Sequence, residues 1–252
     1  MDIQIGLQLY SIRDEIEKDF KGTIEKVANI GYKGVEFAGF YGVDAKEVKS
    51  MLDSLKLVPC GSHEAMDGLK NNLDYVIEYN KTIGNKYIIC PWAEYKSKQD
   101  FVDMAKLLNK IGKKCKDNDI VFGYHNHAHE FVSFGEETGM DILINETDPN
   151  LVTFELDTYW VKYAGIDPAE FIKKYSGRFK LIHIKDMEII DNKMQSTEIG
   201  NGIMDFKTLS KAAADNGTLW FIVEQEAFRG STIESVAKSI ENINKDNLIW
   251  RG

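Results

Sequence analysis

The sequence predicts one (β/α)8 barrel, and three observations carry this prediction. Eight short apolar segments alternate with eight longer amphipathic segments along the chain, an order typical of a parallel sheet with covering helices. The length of 252 residues is that of a single barrel of such units. No glycine-rich phosphate loop follows the first apolar segment, where LQLYSIRDE stands at 7–15, which disfavours an open dinucleotide-binding sheet. We predict one domain over residues 1–252.

The predicted strands are short segments rich in β-branched and aromatic residues, the composition of parallel strands that are buried on both faces. An amphipathic segment follows each of them, so strands and helices come in the repeating order that a barrel requires. The predicted strands cover residues 3–10, 34–38, 57–62, 86–90, 120–125, 152–157, 180–185 and 219–225.

The segments between the strands have helical periodicity and residues typical of helix ends. In FKGTIEKVANIG (20–31) the apolar residues recur on one face, and Gly31 marks the C-terminal end. Asp167 before Pro168 is an N-cap followed by proline in the first turn. The predicted helices cover residues 20–31, 45–56, 71–84, 99–118, 138–147, 167–177, 205–217 and 231–243.

Charge and cysteine content narrow the class of protein. With 31 basic and 40 acidic residues the net charge is −9, which disfavours a nucleic-acid binder, because such proteins need a basic face. The three cysteines have no CxxC spacing, which indicates the reduced thiols of a cytoplasmic protein. Neither a signal peptide nor an apolar run of the ~20 residues that a membrane span needs is visible. We predict a cytoplasmic protein without nucleic-acid or membrane partners.

Polar side chains gather where the predicted strands end, and (β/α)8 barrels have their active sites at those ends. The first four strand ends carry Gln8, Tyr10, Glu36, His63, Glu64 and Trp92. The last four carry His125, Asn126, His127, Glu130, Glu155, Asp157, His183, Lys185, Asp186, Glu224 and Glu226. Acidic and imidazole groups therefore accumulate on the last four strands, all at one end of the predicted barrel.

Taken alone, each of these residues also has a plain structural interpretation. His183 would be a hydrogen-bonded core histidine, His63 a helix cap, and Lys185 the partner of Asp186 or Glu224. Glu224 lies on an apolar strand, so its carboxylate must be paired, protonated or metal-bound. Taken together, one histidine and three carboxylates on consecutive strand ends match a divalent-cation site. Oxygen-rich ligation with one imidazole suits Mn²⁺ or Mg²⁺, with Zn²⁺ and Co²⁺ as alternatives.

Five stretches of the sequence carry a resemblance to a known family. They are GLQLYSIRD (6–14), GYKGVEFAGF (31–40), GYHNHAHEF (123–131), the block 155–187 and FIVEQE (221–226). With them the chain resembles the xylose-isomerase-like TIM barrels, the sugar phosphate isomerase/epimerase group, over essentially its whole length. The resemblance implies one divalent metal ion held by Glu, Asp, His and Glu side chains from the fifth to eighth strands.

Three of the four implied metal ligands match residues of this chain, namely Asp157, His183 and Glu224. The fourth, a glutamate of the fifth strand, has no counterpart, because Tyr124 occupies its position. We therefore predict that Glu130, in the loop that follows, is the fourth ligand, with His127 as the competing candidate.

The chain departs from the epimerases on the substrate side as well. Trp160 stands where they have a substrate-binding histidine, and MEII (187–190) stands where they have an arginine. The expected pocket residues follow from strand-end placement, with aromatic rings for sugar C–H faces and polar groups for hydroxyls. They are Tyr10, Glu36, His63, Trp92, Trp160 and Arg229.

The implied chemistry is removal of a proton next to a substrate carbonyl, with the metal as Lewis acid. The candidate bases are Glu224, His125, His127, Lys185 and, if it is not a ligand, Glu130. Returning the proton would isomerise or epimerise a keto- or aldo-sugar, whereas expelling a β-oxygen would make the protein a dehydratase or lyase on a keto-sugar or inosose. A DNA-repair endonuclease with several zinc ions and a non-catalytic barrel are more distant alternatives. The family also leads us to expect a sugar or cyclitol substrate and a homodimer.

Overall fold

The structure is a computed structural model that describes residues 3–250. Its centre is a closed barrel in which each of eight parallel strands pairs with the next along the chain and the last pairs with the first. The strands are β1 (Gln4–Gln8), β2 (Gly34–Phe37), β3 (Val58–His63), β4 (Tyr87–Cys90), β5 (Val121–His125), β6 (Val152–Asp157), β7 (Phe179–Ile184) and β8 (Trp220–Val223). The predicted (β/α)8 barrel is confirmed. Residues 1, 2, 251 and 252 of the predicted domain lie outside the described range.

The helices that cover the barrel within residues 3–250 are α1 (Arg13–Ile16), α2 (Phe20–Ile30), α3 (Ala45–Leu55), α4 (Met66–Asn71), α5 (Leu73–Ile83), α6 (Lys98–Lys116), α7 (Gly139–Glu146), α8 (Thr158–Tyr163), α9 (Pro168–Lys174), α10 (Phe206–Asp215) and α11 (Thr232–Lys245). All eight predicted helices are present. The three shortest, α1, α4 and α8, were not predicted, because so few residues cannot show a helical period. No helix of this part of the chain combines the length and the apolar character needed to cross a bilayer.

Within residues 3–250, two antiparallel hairpins were not predicted. They pair Ser133–Phe134 with Glu137–Thr138, and Asp186–Ile190 with Lys193–Thr197. Asp191 and Asn192 turn the second hairpin at φ angles of 49° and 60°, a conformation that these residue types favour in two-residue turns. Leu9–Ile12 and His129–Phe131 form short 3-10 helices. The first of them ends β1 at Gln8, so the predicted strand 3–10 was too long.

Helix ends are fixed by the local signals that the sequence contains. The Asp167 side chain accepts a hydrogen bond of 3.0 Å from the Glu170 N–H and so caps α9, with Pro168 in the first turn. Gly31 and Gly84 end α2 and α5 at φ angles of 111° and 82°, a region where glycine has no steric penalty. These caps set where each helix begins and ends around the barrel.

The barrel interior changes from apolar to polar toward the carboxyl ends of the strands. One apolar cluster inside it consists of Cys60, Ile89, Leu181, Trp220 and Ile222. Two residues beyond Leu181 and Ile222, on the same face of each chain segment, come His183 and Glu224. The polar site therefore rests on an apolar layer at the end of the barrel where it was predicted.

Candidate functional site

Four side chains that could ligate a metal meet at the carboxyl end of the barrel. One ligand atom of each lies within 4.8 Å of a ligand atom of every other, and all four residues are buried. We call this group the ligand cluster; its members are His125, Asp157, His183 and Glu224. They come from β5, β6, β7 and the segment directly after β8. Two imidazoles and two carboxylates at this spacing form a donor set able to hold one divalent cation.

The two carboxylate oxygens of Asp157 have different surroundings. Its Oδ1 atom accepts hydrogen bonds from the N–H groups of Tyr159 and Trp160, at 2.9 and 3.2 Å, and so caps α8. Its Oδ2 atom finds no hydrogen-bond partner among residues 3–250, although Lys185 Nζ lies 3.2 Å away. Burial raises the pKa of Asp157 to about 6, while the Lys185 charge acts to lower it. A buried oxygen without a hydrogen bond fits the role of metal ligand.

Lys185 brings a buried ammonium group into the same site. Its Nζ atom lies 2.8 Å from Glu224 Oε2 and 3.0 Å from Glu226 Oε1, in addition to its contact with Asp157. Burial acts to lower the pKa of Lys185, but the charges of these three carboxylates raise it well above its ordinary value. The side chain therefore stays protonated at neutral pH, which disfavours its predicted role as a base.

A second set of contacts continues the ligand cluster into the barrel. We call it the histidine–glutamate network; its members are Glu36, His63, His125, Glu155 and His183. His183 Nε2 lies 2.6 Å from Glu36 Oε2, whereas Glu155 Oε2 lies 2.7 Å from His63 Nε2 and 3.1 Å from His125 Nδ1. Glu36 and Glu155 each keep one oxygen without a hydrogen-bond partner in the described part of the chain. This network holds the ring of His183 from the side opposite Glu224.

The two glutamates of the network differ in pKa. Burial, together with the Glu155 charge, raises the pKa of Glu36 to about 7. Burial acts against ionisation of Glu155 too, but the neighbouring His183 and His63 hold its pKa well below the usual range. Burial acts to lower the pKa of His183, yet Glu155 and Glu36 raise it well above its ordinary value. His183 must release this proton to ligate a metal, so metal binding here requires proton loss.

Glu130, predicted as the fourth metal ligand, does not join the ligand cluster. Its Oε1 atom accepts a hydrogen bond of 2.6 Å from the Tyr124 hydroxyl, and its Oε2 atom accepts one of 2.8 Å from the His127 N–H. The side chain is fully buried and lies in the 3-10 helix after β5, beyond the strand end itself. Both oxygens thus stabilise the loop that follows β5. The fourth member of the ligand cluster is His125 and not Glu130.

An open cavity of about 580 Å³ lies above the ligand cluster. Its walls are formed by Tyr10, Arg13, Ala38, His63, Ala65, Pro91, Trp92, His125, His127, Trp160, Glu224 and Glu226. The volume is within the usual range for small-molecule sites, roughly 300–1,000 Å³. Four of the predicted substrate-binding residues, Tyr10, His63, Trp92 and Trp160, line this cavity.

The other two predicted substrate-binding residues lie elsewhere. Glu36 is fully buried inside the barrel, where it contacts His183 instead of the cavity. Arg229 is exposed and forms an ion pair with Glu188 of the second hairpin, because the segment after β8 leads it away from the cavity. Arg13, which lines the cavity, had no role in the sequence-based prediction, since it follows the first strand end by five residues. The network role of Glu155 was also missed, although its spacing of two residues from Asp157 places both on one face.

His127 faces the cavity as a neutral imidazole. Burial lowers its pKa to about 4, with the Glu224 charge acting in the opposite direction. Its Nδ1 atom has no hydrogen-bond partner within residues 3–250, and its ring centroid lies 5.7 Å from that of Trp160. A neutral histidine at the cavity wall can accept a proton from a bound substrate.

Comparison with known proteins finds relatives that match this chain over nearly its whole length. The chain is similar to an inosose dehydratase from Clostridium tetani, with 28% identity in an alignment that covers 92% of this chain and 91% of the relative. Its fold is similar to a sugar phosphate isomerase/epimerase from Parabacteroides distasonis, with a TM-score of 0.84, 26% identity, and coverage of 99% of this chain and 96% of the other.

A more distant structure, the IolI protein with a bound zinc atom, has the same fold. It superimposes with a TM-score of 0.75 and 14% identity, covering 98% of this chain and 97% of its own. A sequence profile described as "Xylose isomerase-like TIM barrel" matches residues 24–246, which is most of the chain. The fold, the buried donor set and this match lead to one conclusion: the chain belongs to the xylose isomerase-like TIM barrel family.

Proposed function

We propose that the chain is a divalent-metal-dependent enzyme that removes a proton next to the carbonyl of a keto-sugar or inosose and then eliminates water. One observation carries this proposal: the ligand cluster, with an Asp157 Oδ2 atom that accepts no hydrogen bond within residues 3–250, lies directly below an open cavity. The dehydratase name of the Clostridium tetani relative, at 28% identity, favours elimination as the outcome. Isomerisation or epimerisation, favoured by the Parabacteroides distasonis structure, is the second candidate.

The metal would be held by His125, Asp157, His183 and Glu224. When bound, a divalent ion polarises a substrate carbonyl and makes the adjacent C–H more acidic. Two imidazole and two carboxylate donors suit Mn²⁺, Zn²⁺ or Co²⁺ better than Mg²⁺, which prefers oxygen ligands. Of the two ions that the sequence favoured, we therefore retain Mn²⁺, with Zn²⁺ and Co²⁺ as alternatives.

The pKa values of two histidines of the cavity wall are shifted in opposite directions. This supports a role for them as the general base and the general acid of the reaction. His127 is neutral, because burial lowers its pKa to about 4, and can take the proton from carbon. Burial acts to lower the pKa of His63, but Glu36 and Glu155 raise it, so this ring can donate a proton to a leaving hydroxyl. Environments that separate two pKa values in this way are typical of acid–base catalysis.

The substrate would be bound through both ring faces and hydroxyls. The aromatic side chains of Tyr10, Trp92 and Trp160 can pack on sugar or cyclitol C–H faces, while Arg13 and Glu226 can donate or accept hydrogen bonds with hydroxyls.

The net charge of −9 argues against the DNA-repair alternative, and the intact donor set argues against a non-catalytic barrel. A cytoplasmic location, consistent with three buried unpaired cysteines, and a homodimer stay predictions.

The experiment that tests this function uses the purified protein loaded with Mn²⁺ or Zn²⁺ and incubated in D₂O with an inosose and a panel of keto-sugars. Deuterium incorporation next to the carbonyl reports proton removal, and a product lighter by one water reports elimination. Deuterium incorporation without loss of water would replace elimination by isomerisation or epimerisation. Failure of the chain to bind any divalent ion, or failure both to exchange a proton and to release water on every one of these substrates, would refute the proposed function.

A further inference from the structure

The feature of interest is the position of Lys185 relative to the ligand cluster. Its side chain is fully buried, and its Nζ atom contacts Asp157 Oδ2 at 3.2 Å and Glu224 Oε2 at 2.8 Å. Apart from this ion pair, Asp157 Oδ2 accepts no hydrogen bond within residues 3–250. The ammonium group therefore lies between the oxygens that the proposed function gives to the metal.

The third partner of Lys185 lies outside the ligand cluster. Glu226 Oε1 is 3.0 Å from Nζ, and its side chain is 36% exposed, against 7% for Glu224. Tyr159 and Trp160 place their ring centroids 5.4 and 5.3 Å from the ammonium, close enough for cation–π attraction. Glu226 and these two rings would keep Lys185 paired if a metal took over its other two carboxylates.

From this arrangement we infer that Lys185 is a tethered counter-ion that competes with the metal for Asp157 and Glu224. The inference rests on the proposed metal site. Without metal, the ammonium neutralises two buried carboxylates that would otherwise repel each other. With metal, it is held toward Glu226, and its nearby positive charge weakens metal binding. The chain would thus keep its site folded when empty and bind a metal that exchanges readily.

The test measures Mn²⁺ and Zn²⁺ affinity by titration calorimetry, together with the Tm of metal-free and metal-saturated protein. Lys185→Met should bind the metal at least about tenfold more tightly, because the repulsion is gone. Its metal-free Tm should fall and its metal-induced rise in Tm should increase. Glu226→Gln should act in the opposite direction and weaken metal binding by about tenfold, since it removes the other partner of the ammonium. Lys193→Met, an exposed change on the second hairpin, is the matched control and should leave the affinity unchanged.

The outcomes separate this inference from the proposed function. A Lys185→Met protein with unchanged or weaker metal affinity overturns the inference, because a purely structural lysine would not oppose the metal. If Lys185→Met does not fold, Glu226→Gln decides alone, and an unchanged affinity there overturns the inference as well. If the unaltered chain binds neither ion, the proposed metal site itself is refuted, and the inference fails with it.

Discussion

Two buried aspartates at the ends of neighbouring strands have opposite surroundings. Asp157 ends β6 and keeps Oδ2 without a hydrogen bond from residues 3–250. Asp186, which follows β7 by two residues, accepts four backbone hydrogen bonds. These come from Met187, Gly200, Gly202 and Met204 at 2.8, 2.8, 2.9 and 3.1 Å. The chain thus fills the acceptors of Asp186 with backbone N–H groups, whereas Asp157 Oδ2 meets only the ammonium group of Lys185, at 3.2 Å.

This difference shows that burial at a strand end does not by itself distinguish a metal ligand from a structural hydrogen-bond acceptor. Asp186 organises the loop 198–205, and a side chain at Gly202 would approach its Oδ1 atom to 2.3 Å. Glu130 belongs to the same class, because Tyr124 and the His127 N–H occupy both of its oxygens. A buried carboxylate stabilises the local fold when both of its oxygens accept hydrogen bonds from the chain. One with an oxygen that accepts no hydrogen bond can bind a cation.

The largest effect on metal binding and activity should come from a change at Asp157. Asp157→Asn keeps an oxygen to cap α8, so the protein should fold, but it removes a negative metal ligand. We expect loss of stoichiometric metal by elemental analysis and a decrease in kcat/KM of about a thousandfold, or about 4 kcal/mol of transition-state stabilisation. Asp191→Asn, at the exposed hairpin turn, serves as the control. Retention of metal by Asp157→Asn would remove Asp157 from the site.

Removal of the Asp186 carboxylate should lower the stability of the fold and leave metal binding unchanged. Asp186→Ala leaves four backbone N–H groups without their acceptor, and we expect it to lower the free energy of unfolding by about 3 kcal/mol. Urea denaturation monitored by tryptophan fluorescence measures this loss. The folded fraction should bind metal as the unaltered chain does. A variant of unchanged stability would contradict the structural role of Asp186.

Glu130 was predicted from the sequence as a metal ligand, but both of its oxygens accept hydrogen bonds, so its replacement tests the difference between the two kinds of carboxylate. Glu130→Ala should lower the free energy of unfolding by about 2 kcal/mol, since the Tyr124 hydroxyl and the His127 N–H lose their acceptor. Metal content per folded chain should stay unchanged. If the metal is lost while the protein stays folded, Glu130 and not His125 is the fourth ligand.

The smallest effect concerns a carboxylate far from the site. Burial acts to raise the pKa of Asp141, but hydrogen bonds from Lys174, Tyr175 and Thr138 lower it to about 2. A lowered carboxyl pKa contributes stability above the unfolded value of about 3.9, and that contribution is lost as pH falls toward 2. Asp141→Ala should therefore be about 1 kcal/mol less stable than the unaltered chain at pH 7. The two proteins should converge in urea denaturation as the pH falls through 2; a constant difference would exclude this linkage.

The sequence by itself determined the architecture and the end of the barrel that carries the site. Strand composition, helical period and caps such as Asp167 act between residues close in the chain, so they can be read without coordinates. Strand ends also brought Asp157, His183 and Glu224 to one edge, because parallel strands align their carboxyl ends.

Only the tertiary structure decided which partners those residues have. Glu36 meets His183 across 147 positions of the chain, at a point where the register between β2 and β3 shifts and Gly61 leaves space for the Glu36 carboxylate. The same holds for Glu130, which turns to Tyr124, and for Lys185 among its three carboxylates. Strand register and side-chain packing fix such contacts, and neither has a local signal in the sequence, because each depends on all the strands of the closed barrel at once.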